Sequence, residues 1–258
     1  MAGASVILVV CLLLLALVDR RLAPQRAASE HEEEPLVQGR AFRMLVRDKY
    51  LLLIAALTLL LNWVNSNGEY VLDRTLLASL GHMSEHDAVR FIGAFKAEYF
   101  GYVNLLGVLL QMFAVSRILT RFGVRRALLI LPSVALVGYG VMLVSPVLSL
   151  IRVAKVAENS LDYSVQNTSR QALFLVTSRV EKYVGKTVVD TLFVRLGDVL
   201  SAVVVWSGTM LVLPTAAFAG LNLVLIATWI VVAVATGREC DRRAAEGEER
   251  ILAEPVVA

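Results

Sequence analysis

From Arg152 to Arg170 the chain reads R-V-A-K-V-A-E-N-S-L-D-Y-S-V-Q-N-T-S-R, a polar stretch set inside strongly apolar sequence. On a helix, Arg152, Lys155, Asn159, Asp162, Gln166 and Arg170 fall three or four residues apart and share one face. Charges at membrane depth are costly, so they turn toward partner helices or a water-filled cavity rather than lipid. The chemistry open to such a stripe is the binding and movement of a polar solute.

Three other apolar segments carry polar groups at helical spacing. Asn62, Asn65, Ser66 and Glu69 share a face, with Glu69 near the outer surface; Glu98 and Tyr102 lie one turn apart, with Lys96 at the outer edge; Asp190, Arg195, Asp198 and Ser201 occupy one arc. Brought together in a bundle, these groups predict a polar cavity holding both charge signs. Lys155, Arg152 and Arg170 would attract an anionic group, and Glu158, Asp162 and Asp198 would pair with them or carry protons. The expected solute-binding set is Asn62, Asn65, Glu98, Lys155, Glu158, Asn159, Asp162, Gln166 and Asp198. Arg121, Arg170, Lys182, Lys186, Asp190 and Arg195, together with Arg179, are expected to lock or gate the bundle near its cytoplasmic end.

Other chemistries are poorly served. Gly185-Lys186-Thr187 resembles the end of a phosphate-binding loop, but Val180 stands where the leading glycine belongs and no strand precedes it. His82 and His86 are two ligands at most, with Glu85 out of order for a zinc protease, so no metal or other cofactor is expected. No apolar segment carries a histidine or a nucleophile beside a base, which argues against an enzyme.

The elements that must position these residues are transmembrane helices. Of 258 residues, 57% are hydrophobic and 18% charged, and the mean hydropathy is +0.69. A soluble domain is nearer one quarter charged. The net charge of +3 is too small for a nucleic-acid partner. The fold class expected is an all-α integral membrane bundle of about seven helices, near Ala2–Val18, Tyr50–Leu72, Ala97–Leu119, Ala127–Val144, Val147–Val176, Thr187–Leu213 and Thr215–Thr236. Each spans roughly the 30 Å of a bilayer core. Arginine and lysine crowd alternate connections: the linker with Arg40, Arg43 and Arg47, the turn Arg117–Arg126, the loop Arg179–Lys186, and the tail with Arg238, Arg242 and Arg243. The positive-inside rule puts these in the cytoplasm and the N-terminus outside. The organisation expected is a helix over 1–19, a charged cytoplasmic linker over 20–48, a six-helix lobe over 49–237 and a cytoplasmic tail over 238–258, in a bacterial inner membrane. The apolar start lacks the leading positive charge of a signal peptide. Cys11 and Cys240 are too differently placed for a disulfide. Gly101, Gly107, Gly138 and Gly140 are expected to let helices pack closely.

Two sets of residues carry a family resemblance. The turn T-R-F-G-V-R-R, Thr120–Arg126, resembles the degenerate cytoplasmic motif of the major facilitator superfamily, with Thr120 where that motif has an acid. The words S-L-D-Y-S, G-K-T-V-V-D and R-L-G-D-V-L-S-A, between Lys155 and Ala202, resemble the C-terminal half of the ATP/ADP translocase (nucleotide transporter) branch. The resemblance implies the last seven helices of a twelve-helix exchanger working by alternating access, with a small-molecule solute such as a nucleotide. Its first lobe would come from another chain, or a second copy would take that place. The family pattern has lysines where this chain has Asp162 and Asp198. Each exchange replaces attraction with repulsion for a polyanion such as ATP. A less anionic or cationic solute, or proton coupling through Asp162 or Asp198, fits that change. A non-transporting membrane subunit, its stripe only joining helices, or an incomplete fragment is the alternative.

Overall fold

A computed structural model describes residues 45–178 and 181–253, all helix and short connections, with no strand among the described residues. The expected first helix, most of the charged linker, Cys11, Arg179 and the last residues of the tail lie outside the described residues. The α-helices are α1 (Lys49–Ala78), α2 (Glu85–Leu109), α3 (Val115–Ala127), α4 (Ile130–Val144), α5 (Leu148–Leu161), α6 (Asn167–Leu173), α7 (Lys186–Val188), α8 (Val194–Met210) and α9 (Thr215–Ala253). Among the described residues, three stretches are long and apolar enough to cross a membrane: Lys49–Ala78, Glu85–Ala127 and Thr215–Glu246.

These helices join into six rods. A π-helical turn, Leu110–Ala114, links α2 to α3, and another, Asp162–Gln166, links α5 to α6. The two turns lie against each other. Two more, Glu181–Gly185 and Val189–Phe193, bracket α7 ahead of α8. Wide turns of this kind cluster at functional places because they re-aim the side chains that follow. Here the turn at Asp162–Gln166 breaks the single straight stripe that a regular helix would carry from Arg152 to Arg170.

Caps and turns set the rod ends. Asp48 caps α1 by accepting from the backbone N–H of Tyr50 at 2.7 Å and of Leu51 at 3.3 Å. Ser84 caps α2, its hydroxyl accepting from the N–H of Asp87 at 3.2 Å. Helix α2 therefore begins well before the expected Ala97–Leu119 span, and α1 runs past the expected Leu72, so much of the interval between those two spans is helix. At Gly123 the backbone turns to φ 73°, ψ 169°, a region essentially reserved for glycine. The rod ends there and the next one starts, which is the physical reason for the glycine in T-R-F-G-V-R-R.

Helix α1 is the hub. It packs antiparallel on α9, parallel to α8, and against α5; α4 packs on α5 and α9, and α2 runs alongside α5. The core is continuous, from Tyr50, Leu57 and Leu72 of α1 through Tyr139 of α4 to Ile226 and Trp229 of α9. At one end Asp48 meets Arg243 at 2.7 Å, beneath a Tyr50 ring 4.6 Å from that guanidinium, and Arg125 meets Asp241 at 3.5 Å. Helix α9 runs unbroken into the expected tail, and Cys240 is buried on it. Of the four glycines expected at helix contacts, Gly138 packs on Ala154 and Gly107 near Ser160, whereas Gly101 and Gly140 face open space.

Candidate functional site

Lys155 is the centre. Its side chain is 0% exposed, the only fully buried cation among the described residues. It stands seven residues into α5, roughly 10 Å along the helix from Leu148. Its ammonium donates to Asn65 Oδ1 at 2.8 Å and lies 3.2 Å from Glu158 Oε2 and 3.6 Å from Glu69 Oε1. Glu158 is 5% exposed and Glu69 31%, so one carboxylate backs the lysine and the other stands at the open side.

Glu69 is gripped from α2 and α5 as well. The Tyr99 hydroxyl donates to Oε1 at 3.0 Å, and Asn159 Nδ2 donates to the same oxygen at 2.9 Å and to the Tyr99 hydroxyl at 2.7 Å. Two hydrogen-bond donors, with the Lys155 ammonium 3.6 Å away, thus converge on one carboxylate oxygen. Asn159 Oδ1, buried, accepts nothing among the described residues.

This approach of α1, α4 and α5 depends on Gly68. A Cβ there would lie 1.8 Å from the Tyr139 hydroxyl and 2.9 Å from Lys155 Nζ. Glycine is the one residue that leaves room for both. The Tyr139 hydroxyl reaches the Val64 carbonyl at 3.3 Å.

A second cluster joins α1 to α8 and α9. Asn67 Nδ2 donates to Asn222 Oδ1 at 3.0 Å, Ser201 Oγ donates to Asn67 Oδ1 at 2.7 Å, and Asn222 Nδ2 donates to the Val64 carbonyl at 3.1 Å. All three side chains are buried. Ser66 Oγ donates to Asp198 Oδ1 at 2.9 Å at its margin. The polar groups expected in one cavity therefore form two clusters on either side of α1.

The remaining expected residues divide. Asn65, Lys155, Glu158 and Asn159 meet as expected. Asn62 is turned back onto the Thr58 carbonyl at 2.8 Å, against the bare backbone of Gly197. Asp198 goes to Ser66 and to Arg195, 3.5 Å away, and not to the lysine cluster. Arg152 also leaves that cluster: it pairs with Glu98 at 2.7 Å between the rings of Phe95 and Tyr102. Both line an open groove of about 700 Å³ between α2 and α5, whose walls are mostly apolar. Glu98 therefore stands in this groove with Arg152, apart from the Lys155 cluster. Asp162 sits half-buried at the π turn beside an exposed Tyr163. Gln166 is fully buried, with neither amide atom partnered among the described residues.

Of the expected gate, Arg170 and Asp190 meet at 3.5 Å. Arg195 is 79% exposed, Arg121 and Lys182 are exposed, and Lys186 is half-buried. His82 lies in a turn and His86 on the first turn of α2, and no cluster able to hold a metal occurs among the described residues.

Sequence reasoning missed Gly68, Tyr99, Tyr139, Asn67 and Asn222 as site residues. Asn222 carried a signal, being an amide inside the apolar Thr215–Thr236 segment. The two tyrosines and Gly68 carried none, because their importance is a matter of which helices touch. No family model, curated protein or solved structure matches this chain.

Proposed function

We propose that the chain is one lobe of a secondary membrane carrier of the major-facilitator type, related to the ATP/ADP translocase branch and working by alternating access. The observation that carries this reading is the fully buried Lys155, held by Asn65, Glu158 and Glu69 within the bundle, with Glu69 open on one side. An ionisable residue buried inside a membrane bundle is a functional-site candidate by default, and Glu69 leaves this one open on one side. The basic rod ends belong in the cytoplasm, the opposing wall comes from an N-terminal lobe or a second copy, and the role is transport rather than catalysis. Asp198 and Asp162 on the flanks disfavour a polyanion, so the solute carries less charge than ATP.

The test is uptake of labelled ATP, ADP and less charged metabolites into cells expressing the chain, alone and with a candidate N-terminal lobe. Saturable uptake lost in Lys155→Ala, with the variant present in the membrane, is expected. No uptake in either setting, with the protein confirmed in the membrane, refutes the carrier reading. The second reading, a non-transporting subunit, draws on the Asn67–Ser201–Asn222 network, which joins three helices and is complete without any solute.

A further inference from the structure

Lys155 Nζ, Asn159 Nδ2 and the Tyr99 hydroxyl come from two helices and aim at one atom, Glu69 Oε1, from 3.6, 2.9 and 3.0 Å. Two hydrogen-bond donors and an ammonium around one anionic oxygen make an anion seat. Its present occupant is a side chain of the protein. The occupant is also the most distant partner of the lysine: Asn65 and Glu158 hold Nζ at 2.8 and 3.2 Å, Glu158 from the buried side, while Glu69 stands at 3.6 Å on the open side. A group held this way can leave without disturbing what lies behind it.

We propose that Glu69 is a tethered stand-in for the anionic oxygen of a small organic monoanion, and that this solute and one proton enter the site together. A proton from water joins the Glu69 carboxylate. The neutral acid gives up its place on Lys155, and the anionic oxygen of the solute takes these three groups. Release runs the other way: the anion leaves, the proton returns to water, and Glu69 resumes the seat. Solute charge and proton charge cancel, so the charge buried around Lys155 is the same before and after. A polyanion would leave an uncompensated charge beside Glu158, which is costly in a site this dry.

The groups that face Glu69 set the acid response. Helix α5 supplies Lys155, Glu158 and Asn159, the π turn after it Tyr163, α2 supplies Tyr99 and Lys96, and α4 supplies Tyr139. Asp198 of α8 and Asn222 of α9 lie on the other side of α1, with Ser66 and Asn67. Lys96 is itself paired with Asp73 of α1.

This inference rests on the carrier reading for its physiological role, but the seat is testable without transport. The purified full chain in detergent would be melted with acetate, methylphosphonate, methanesulfonate or neutral acetamide. In Glu69→Ala the emptied seat should take a free anion. The expected result is a saturable rise of roughly 5 °C in Tm at about a hundredfold excess over Kd. Acetamide should give none, and Lys155→Met in the same variant should abolish the effect. Response to acetate over methylphosphonate assigns a carboxylate solute, and the reverse a phosphoryl one. The unmutated chain gives an independent reading should Glu69→Ala not fold. Bound isotope-labelled methanesulfonate, which stays ionised, should appear by NMR as pH falls through the carboxylate range, from about 7 to about 3, and Lys155→Met should remove it. Absence of anion binding in the unmutated chain across that range, or an equal response to acetamide, overturns the proposal. Anion binding without any solute flux keeps the seat and sinks the carrier reading; flux without anion binding does the opposite.

Discussion

Gly68→Ala tests the packing that builds the site, whatever the site carries. The added methyl would stand 1.8 Å from the Tyr139 hydroxyl oxygen, 3.1 Å from Tyr139 Cζ and 2.9 Å from Lys155 Nζ. To restore even a 3.0 Å approach the hydroxyl must retreat by about 1.2 Å. It is the far end of a rigid ring that is 0% exposed, so the whole ring, or α4 itself, must shift. Overpacking of this sort costs roughly 1–3 kcal/mol, and displacement of a buried charge pair puts the value at the upper end. Tyr139→Phe alone loses only the long 3.3 Å hydrogen bond to Val64, a cost of about 1 kcal/mol. In the double variant the closest clash is gone and the Cζ and Nζ approaches remain. The double variant should therefore be more stable than the sum of the singles by about 1 kcal/mol or more. The measurement is reversible unfolding of all four proteins in mixed detergent micelles. A Gly68→Ala variant within about 0.5 kcal/mol of the parent, or strict additivity with Tyr139→Phe, would refute the claim that this glycine is what lets α1 meet α4 and Lys155.

Two further outcomes follow from the end of the bundle where Asp48 meets Arg243 and Arg125 meets Asp241. Gly123→Ala should cost about 1–3 kcal/mol from backbone strain alone, since nothing lies within 4 Å of the new methyl, and Gly123→Ser should cost the same; a large difference between the two in the same unfolding assay would point to a steric cause instead. Burial pushes the Asp48 carboxyl up, but hydrogen bonds from Arg243 and from the Leu51 and Tyr50 N–H groups outweigh it and hold the acid below its ordinary value of 3.8. A lowered folded value means stability that is present above pH ~4 and lost as pH falls through the folded value. Asp48→Asn should remove that acid-dependent loss, seen as a flatter Tm-against-pH curve below pH ~5, and an unchanged curve would show that Asp48 is not its source.

The sequence by itself determined the class of element, though not where α1, α2 and α9 end. Apolar runs of bilayer length, broken by arginine-rich turns and by glycine at Gly123, leave helices as the economical way to satisfy the backbone in such sequence. It also determined that Lys155, Glu158 and Asn159 share a face, because three- and four-residue spacing is a local property of any helix. The stripe's continuation past Asp162 was a different matter. The π turn at Asp162–Gln166 changes the angular register, and it faces a second π turn on the neighbouring rod, so its place answers to packing between rods. Tertiary structure alone decided which faces meet. Spacing cannot say that Asn65 and Glu69 turn toward α5 while Ser66 and Asn67, one residue away, turn toward α8 and α9. Nor can it say that Arg152 stacks between Phe95 and Tyr102 at a rim, or that Tyr99 and Asn159 converge on one oxygen of Glu69. Those are contacts between residues far apart in the chain, fixed by how six rods share a single core.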